Sequence, residues 1–172
     1  MRKRRESILL LCLVLVFPVV GPGAHASDSS EAAAPTVVMV CEHGAVKSVI
    51  AAALFDREAK DRGLDIQAVS RGIAPYERIP DKIIEALEND GFDVSEFVPQ
   101  KLSKQDVAES KRIVAIATDL ARATDGAAHK LEQWDDVPPA SVDYEASKAA
   151  LLSHVESLLA ELAADSSGRT QE

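Results

Sequence analysis

The residues best placed to do chemistry lie between Pro35 and Ser48, Pro-Thr-Val-Val-Met-Val-Cys-Glu-His-Gly-Ala-Val-Lys-Ser. Val37 to Val40 form an uninterrupted apolar, β-branched run that predicts a short strand buried on both faces. Cys41 falls where that strand ends, a tight loop with Gly44 follows, and from Ser48 the residues favour a helix. Strand, loop and helix N-terminus together make a cradle for an anion, because loop and first-turn N–H groups turn inward and the helix dipole adds positive potential. A cysteine at the lip of such a cradle is positioned to act as a thiolate nucleophile. Lys47 adds a formal positive charge.

The elements needed to hold that site follow in order. The first helix is expected to run to about Arg62 and stop at Gly63. Asp65 to Ser70 reads as a second strand, with Arg71-Gly72-Ile73-Ala74-Pro75 as a loop beside the first. Pro80 suits the first turn of a helix whose apolar face is Ile83, Ile84 and Leu87. Ser103 to Asp106 resembles a capping box, so a short helix follows, and Arg112 to Ala117 reads as a third buried strand ending at Thr118-Asp119. Lys130 to Trp134 suits an edge strand, and Asp135-Asp136-Val137-Pro138-Pro139 a rigid acidic loop. A last helix is expected from about Asp143 to Ala164, with Leu151, Leu152, Val155, Leu158, Leu159 and Leu162 on its core face. Alternation of strands and helices predicts an α/β fold, an open four-stranded parallel sheet with helices on both faces. Ligands of such sheets bind beyond the carboxyl ends of the strands, where Cys41, Arg71 and Asp119 all fall.

The chain begins Arg2-Lys3-Arg4-Arg5, continues in an apolar stretch from Ile8 to Val20 and reaches Ala24-His25-Ala26, the pattern of an export signal over residues 1–26. The expected location is therefore exported, periplasmic or secreted, with no stable membrane anchor after cleavage. Residues 27–34 read as a flexible leader, 35–164 as the domain and 165–172 as a disordered tail. Cleavage removes four of the 19 basic and one of the 28 acidic residues, which moves the net charge from −9 to −12. So acidic a chain, with no basic stripe or aromatic platform, excludes nucleic acid as a partner. Cleavage also leaves Cys41 as the lone cysteine, without an internal disulfide partner. Its position at a strand end favours a reactive thiol over an inert buried one. His43, His129 and His154 show no metal-ligand spacing, and no cofactor is indicated.

From about Thr36 to Leu162 the sequence resembles the low-molecular-weight protein tyrosine phosphatases and the thiol-dependent arsenate reductases that share their fold. The resemblance rests on an apolar strand followed by Cys41, Lys47 and Ser48, on Ser70-Arg71-Gly72 after the second strand, on Asp119, and on Asp135 to Pro138 before the last helix. It implies Cys41 as nucleophile, Ser48 as hydroxyl donor to the thiolate, and Asp136, with Asp135 close behind, as the acid that protonates the leaving oxygen. It also implies oxyanion binding by the loop Glu42, His43, Gly44, Ala45 and Val46, with Lys47 where the family carries arginine. The implied ligand is a phosphate ester or other oxyanion, including that of a phosphorylated protein.

Lys47 exchanges a guanidinium that forks onto two oxygens for a hydrated point charge. Gly44 keeps the backbone freedom of the family's asparagine without its side chain, and Glu42 adds negative charge beside the thiol. Arg71 stands where the family has a small residue, and is expected either to return a guanidinium to the anion or to pair with an acidic neighbour. The leading functional expectation is a cysteine-dependent phosphatase-type enzyme, weakened or altered by Lys47. The alternative is a non-catalytic oxyanion-binding or sensing module. Arsenate reduction with an external thiol ranks below both.

Overall fold

A computed structural model describes residues 36–168. The expected export signal and leader, and residues 169–172, lie outside the described residues. Four strands, β1 (Thr36–Cys41), β2 (Gln67–Gly72), β3 (Arg112–Ile116) and β4 (Leu131–Trp134), form one parallel sheet in the order β2-β1-β3-β4. The helices are α1 (Lys47–Asp61), α2 (Asp81–Asn89), α3 (Lys104–Glu109) and α4 (Tyr144–Gly168). This is the expected α/β architecture, with β4 at the edge.

β1 sits between two neighbours, which is why Val37, Val38, Met39 and Val40 are all fully buried. The period-2 alternation of the pleat divides them between two cores. Val37, Met39 and Cys41 join Val114 and Ile116 of β3 and the apolar faces of α1 and α4, including Ile50, Leu54, Phe55, Leu151, Val155 and Leu158. Val38 and Val40 face the other way, with Ile113, Ala115 and Leu120, under Val107 of α3. Cys41 therefore emerges on the α1 side of the sheet.

Three boundaries differ from expectation. β2 begins and ends two residues later, because Gly72 pairs with Cys41 on one side and bridges Lys101 on the other, which keeps Arg71 and Gly72 extended. β3 stops at Ile116, where Ala117 takes a positive φ of 47°. α4 continues four residues past Ala164, so the expected tail starts inside a helix. The capping box at Ser103 forms, with Ser103 and Asp106 each satisfying the other's backbone N–H.

Candidate active site

Val46 precedes α1 with no side-chain cap, so the helix opens with free N–H groups. The loop before it is held from outside by its carbonyls. Glu42 O accepts from the N–H of Ile73 and Ala74 and His43 O from Tyr76, while Gly44 O lies 3.3 Å from the Ser70 hydroxyl oxygen. With the carbonyls so fixed, the amides are left over. Among the described residues, none accepts a hydrogen bond from the N–H of residues 43–48. A polar cradle with uncommitted donors suits an anion.

Gly44 makes the turn possible. Its φ is +59°, and a Cβ there would lie 2.7 Å from the Gly72 nitrogen. Gly72 is equally constrained, since its own Cβ would lie 2.7 Å from the Gly44 nitrogen. Two glycines thus let the loop and β2 touch backbone to backbone, and this seats the cradle at the end of the sheet.

Cys41 Sγ lies 3.1 Å from Ser48 Oγ, and Ser70 Oγ donates to Ser48 Oγ at 2.9 Å. Both serines are buried. With Ser70 donating, the Ser48 proton is free to turn toward sulfur, and a hydroxyl aimed at a thiolate favours the charged, nucleophilic form. Sequence reasoning places Ser48 here but gives Ser70 no role. The available signal is parity, since Ser70 shares the inward side of β2 with Ala68.

The cavity above the sulfur is about 310 Å³ and is lined by Cys41, Glu42, His43, Lys47, Tyr76 and, from the acidic loop, Pro139 and Ala140. Lys47 Nζ donates to Val137 O at 3.0 Å, so the cation of the cradle also ties down the acidic loop. Glu42 is exposed, and its carboxylate accepts from Thr118. His43 stacks on Tyr76 with ring centres 4.0 Å apart.

Gly44, Ala45 and Ser48 lie within the loop and helix start without lining the cavity, and Arg71 and Asp136 are carried away from it. Arg71 points to the opposite face, where it grips Asp106 at 2.9 and 3.0 Å and lines a separate cleft. The pleat decides this, because Ser70 faces α1 and its neighbour must face away. Burial pushes Asp106 up, but hydrogen bonds from Arg71 and Ser103 outweigh it and hold the carboxyl below its usual range. Arg71 is therefore the paired arginine and no part of the oxyanion site. Asp136, expected as the acid, does not line the cavity. It is exposed and meets His154 Nε2 at 2.7 Å, a hydrogen bond that lowers its pKa. His154 in turn stacks on the buried Trp134. Asp135 accepts from Gln133 Nε2 and is also absent from the lining. Asp119 braces its own turn by accepting from the Ala121 N–H.

This strand, cysteine loop and helix are matched by a family model for "Low molecular weight phosphotyrosine protein phosphatase" over residues 36–165. The chain belongs to that family. Among solved structures of the same fold, YfkJ from Bacillus subtilis is 21% identical with a TM-score of 0.67, over 77% of this chain and 96% of its own. A low-molecular-weight phosphotyrosine phosphatase from Vibrio cholerae is 22% identical with a TM-score of 0.65, over 74% of this chain and 96% of its own. A protein of Halobacterium salinarum named "Putative arsenate reductase" is 31% identical over 78 residues, 44% of this chain. The match spans about half of that relative, 54% of its length. The fold of the family is thus present, with Cys41 at the end of β1 and Gly44 and Lys47 in the loop that follows it.

Proposed function

We propose that this protein is a cysteine-dependent phosphatase acting on phosphate monoesters through Cys41, slower than its relatives because Lys47 replaces the clamping arginine. The observation that carries this reading is the Ser70–Ser48–Cys41 hydrogen-bond chain at the base of a loop whose amides are uncommitted. Thiolate attack at phosphorus needs fixed donors for sulfur and for the equatorial oxygens, and both sets are supplied by the fold. Lys47 offers a point charge with one N–H spent on Val137. Loss of a forked clamp acting in the transition state costs on the order of a few kcal/mol, or several hundred-fold in rate. The basic, apolar, Ala-His-Ala start supports export, so the ester would be met outside the cytoplasm.

A second reading, an oxyanion-binding module without turnover, is favoured by the absence of both loop aspartates from the cavity lining. Arsenate reduction ranks third. The similarity to the halobacterial relative supports it, but Cys41 is the one free cysteine among the described residues, so an external thiol would have to supply the electrons. Hydrolysis of p-nitrophenyl phosphate by the full chain separates the first two readings. The phosphatase turns over measurably and Cys41→Ser does not, whereas wild-type turnover equal to Cys41→Ser, together with phosphate binding by calorimetry, establishes the binding module.

A further inference from the structure

We propose that His43 is the proton donor to the leaving oxygen of the phosphate ester, taking the part that the acidic loop does not play; this rests on the phosphatase reading. Attack by thiolate forms an S–P bond and breaks the P–O bond to the ester oxygen, which departs with the electron pair and must be protonated unless it is a stable anion. The group that does this has to border the same cavity as Cys41. Asp136 and Asp135 do not, and are bound to His154 and Gln133. The titratable side chains that do border it with Cys41 are Glu42, His43, Lys47 and Tyr76.

Glu42 is exposed, and its carboxylate is engaged in accepting from Thr118. Lys47 is committed to Val137 O and serves as a charge. Imidazole is the side chain that gains and loses a proton near neutral pH, and His43 is held as a proton donor should be. Its Nδ1 lies 3.1 Å from the Ala74 carbonyl oxygen, which can only accept, so Nδ1 carries a hydrogen and Nε2 is the nitrogen left to face a ligand. Nε2 has no hydrogen-bond partner among the described residues. The stack on Tyr76 and the Tyr76 N–H bond to His43 O fix the ring at the rim of the cavity.

The cycle balances. His43 Nε2–H gives its proton to the departing ester oxygen, which leaves as the alcohol, as phosphocysteine forms. Neutral Nε2 then takes a proton from water as that water attacks phosphorus, the S–P electron pair returns to sulfur, and inorganic phosphate leaves.

Leaving-group dependence tests this on the full-length chain. p-Nitrophenolate departs readily as an anion, whereas phenolate needs a proton more. His43→Asn keeps a donor for Ala74 O, and His43→Gln keeps an amide near the Nε2 position, but neither transfers a proton. In both variants the ratio of kcat/KM for p-nitrophenyl phosphate to that for phenyl phosphate is expected to rise at least about tenfold, a part of the 10²–10⁴-fold that general acid catalysis contributes. An unchanged ratio in both, including an equal loss on both substrates, overturns the assignment. So does a rise in Asp136→Asn without one in the His43 variants. Wild-type turnover equal to that of Cys41→Ser on both esters removes the phosphatase reading itself, and the role of His43 with it.

Discussion

The loop of residues 41–48 and the loop of residues 135–140 close on the same cavity, and they spend their polar groups in opposite ways. In the cysteine loop the carbonyls of Glu42 and His43 are fastened to the segment after β2, the Ser48 hydroxyl serves the thiol, and the amides and the sulfur are left for a ligand. In the acidic loop the side chains are spent on structure. Asp136 is bound to His154, Asp135 to Gln133, and Val137 holds Lys47, so the cavity receives Pro139 and Ala140. A cradle built from backbone tolerates sequence change better than a proton donor built from one side chain at one spacing.

Substitutions in each loop sharpen the contrast. The largest effect is expected from Cys41→Ser, which should reduce aryl-phosphate turnover by about 10³-fold or more, read by steady-state kinetics. Gly44→Ala is expected to cost about 3 kcal/mol or more, from its positive φ and the collision with Gly72, and to show as a lowered thermal midpoint. Lys47→Arg keeps donors for Val137 and adds a fork, so kcat should rise about 10- to 100-fold; a fall would mean that the tether to the acidic loop matters more than the clamp. Ser70→Ala removes the outer link of the hydroxyl chain and should slow turnover about 3- to 10-fold, with binding of phosphate little changed. The smallest effect belongs to the acidic loop. The pairing with His154 lowers the pKa of Asp136 below the ordinary 3.8, so its small stabilising contribution is complete above that value and fades as pH falls through the lowered one. Thermal midpoints of wild type and Asp136→Asn should therefore differ above the ordinary carboxylate value and converge only as pH falls below the lowered one.

Much of the frame is legible in the residues. Val37 to Val40 announce the central strand, Ser103 to Asp106 the capped short helix, and the leucines from Leu151 to Leu162 the face of α4. Cys41, Gly44 and Ser48 are readable because a strand end, a turn and a helix start are all local signals. Arg71 is misplaced because β2 runs two residues further than expected, so Arg71 lies inside the strand, on the side opposite Ser70, and not in a loop free to turn toward Cys41; that extension depends on the pairing of Gly72 with Cys41 and Lys101, both distant in sequence. Asp136 is misplaced because its partner, His154, comes from a helix 18 residues away. Ser70, Tyr76 and the tie from Lys47 to Val137 are likewise long-range contacts that no spacing encodes.

The central claim is that Cys41 forms a bond to phosphorus. Rapid acid quench of the full chain during turnover of p-nitrophenyl phosphate, followed by intact-mass and peptide mass spectrometry, tests it directly. The account predicts a phosphoryl adduct on the peptide bearing Cys41, absent in Cys41→Ala. Phosphate bound by the wild-type chain with no covalent adduct at any time point would contradict it.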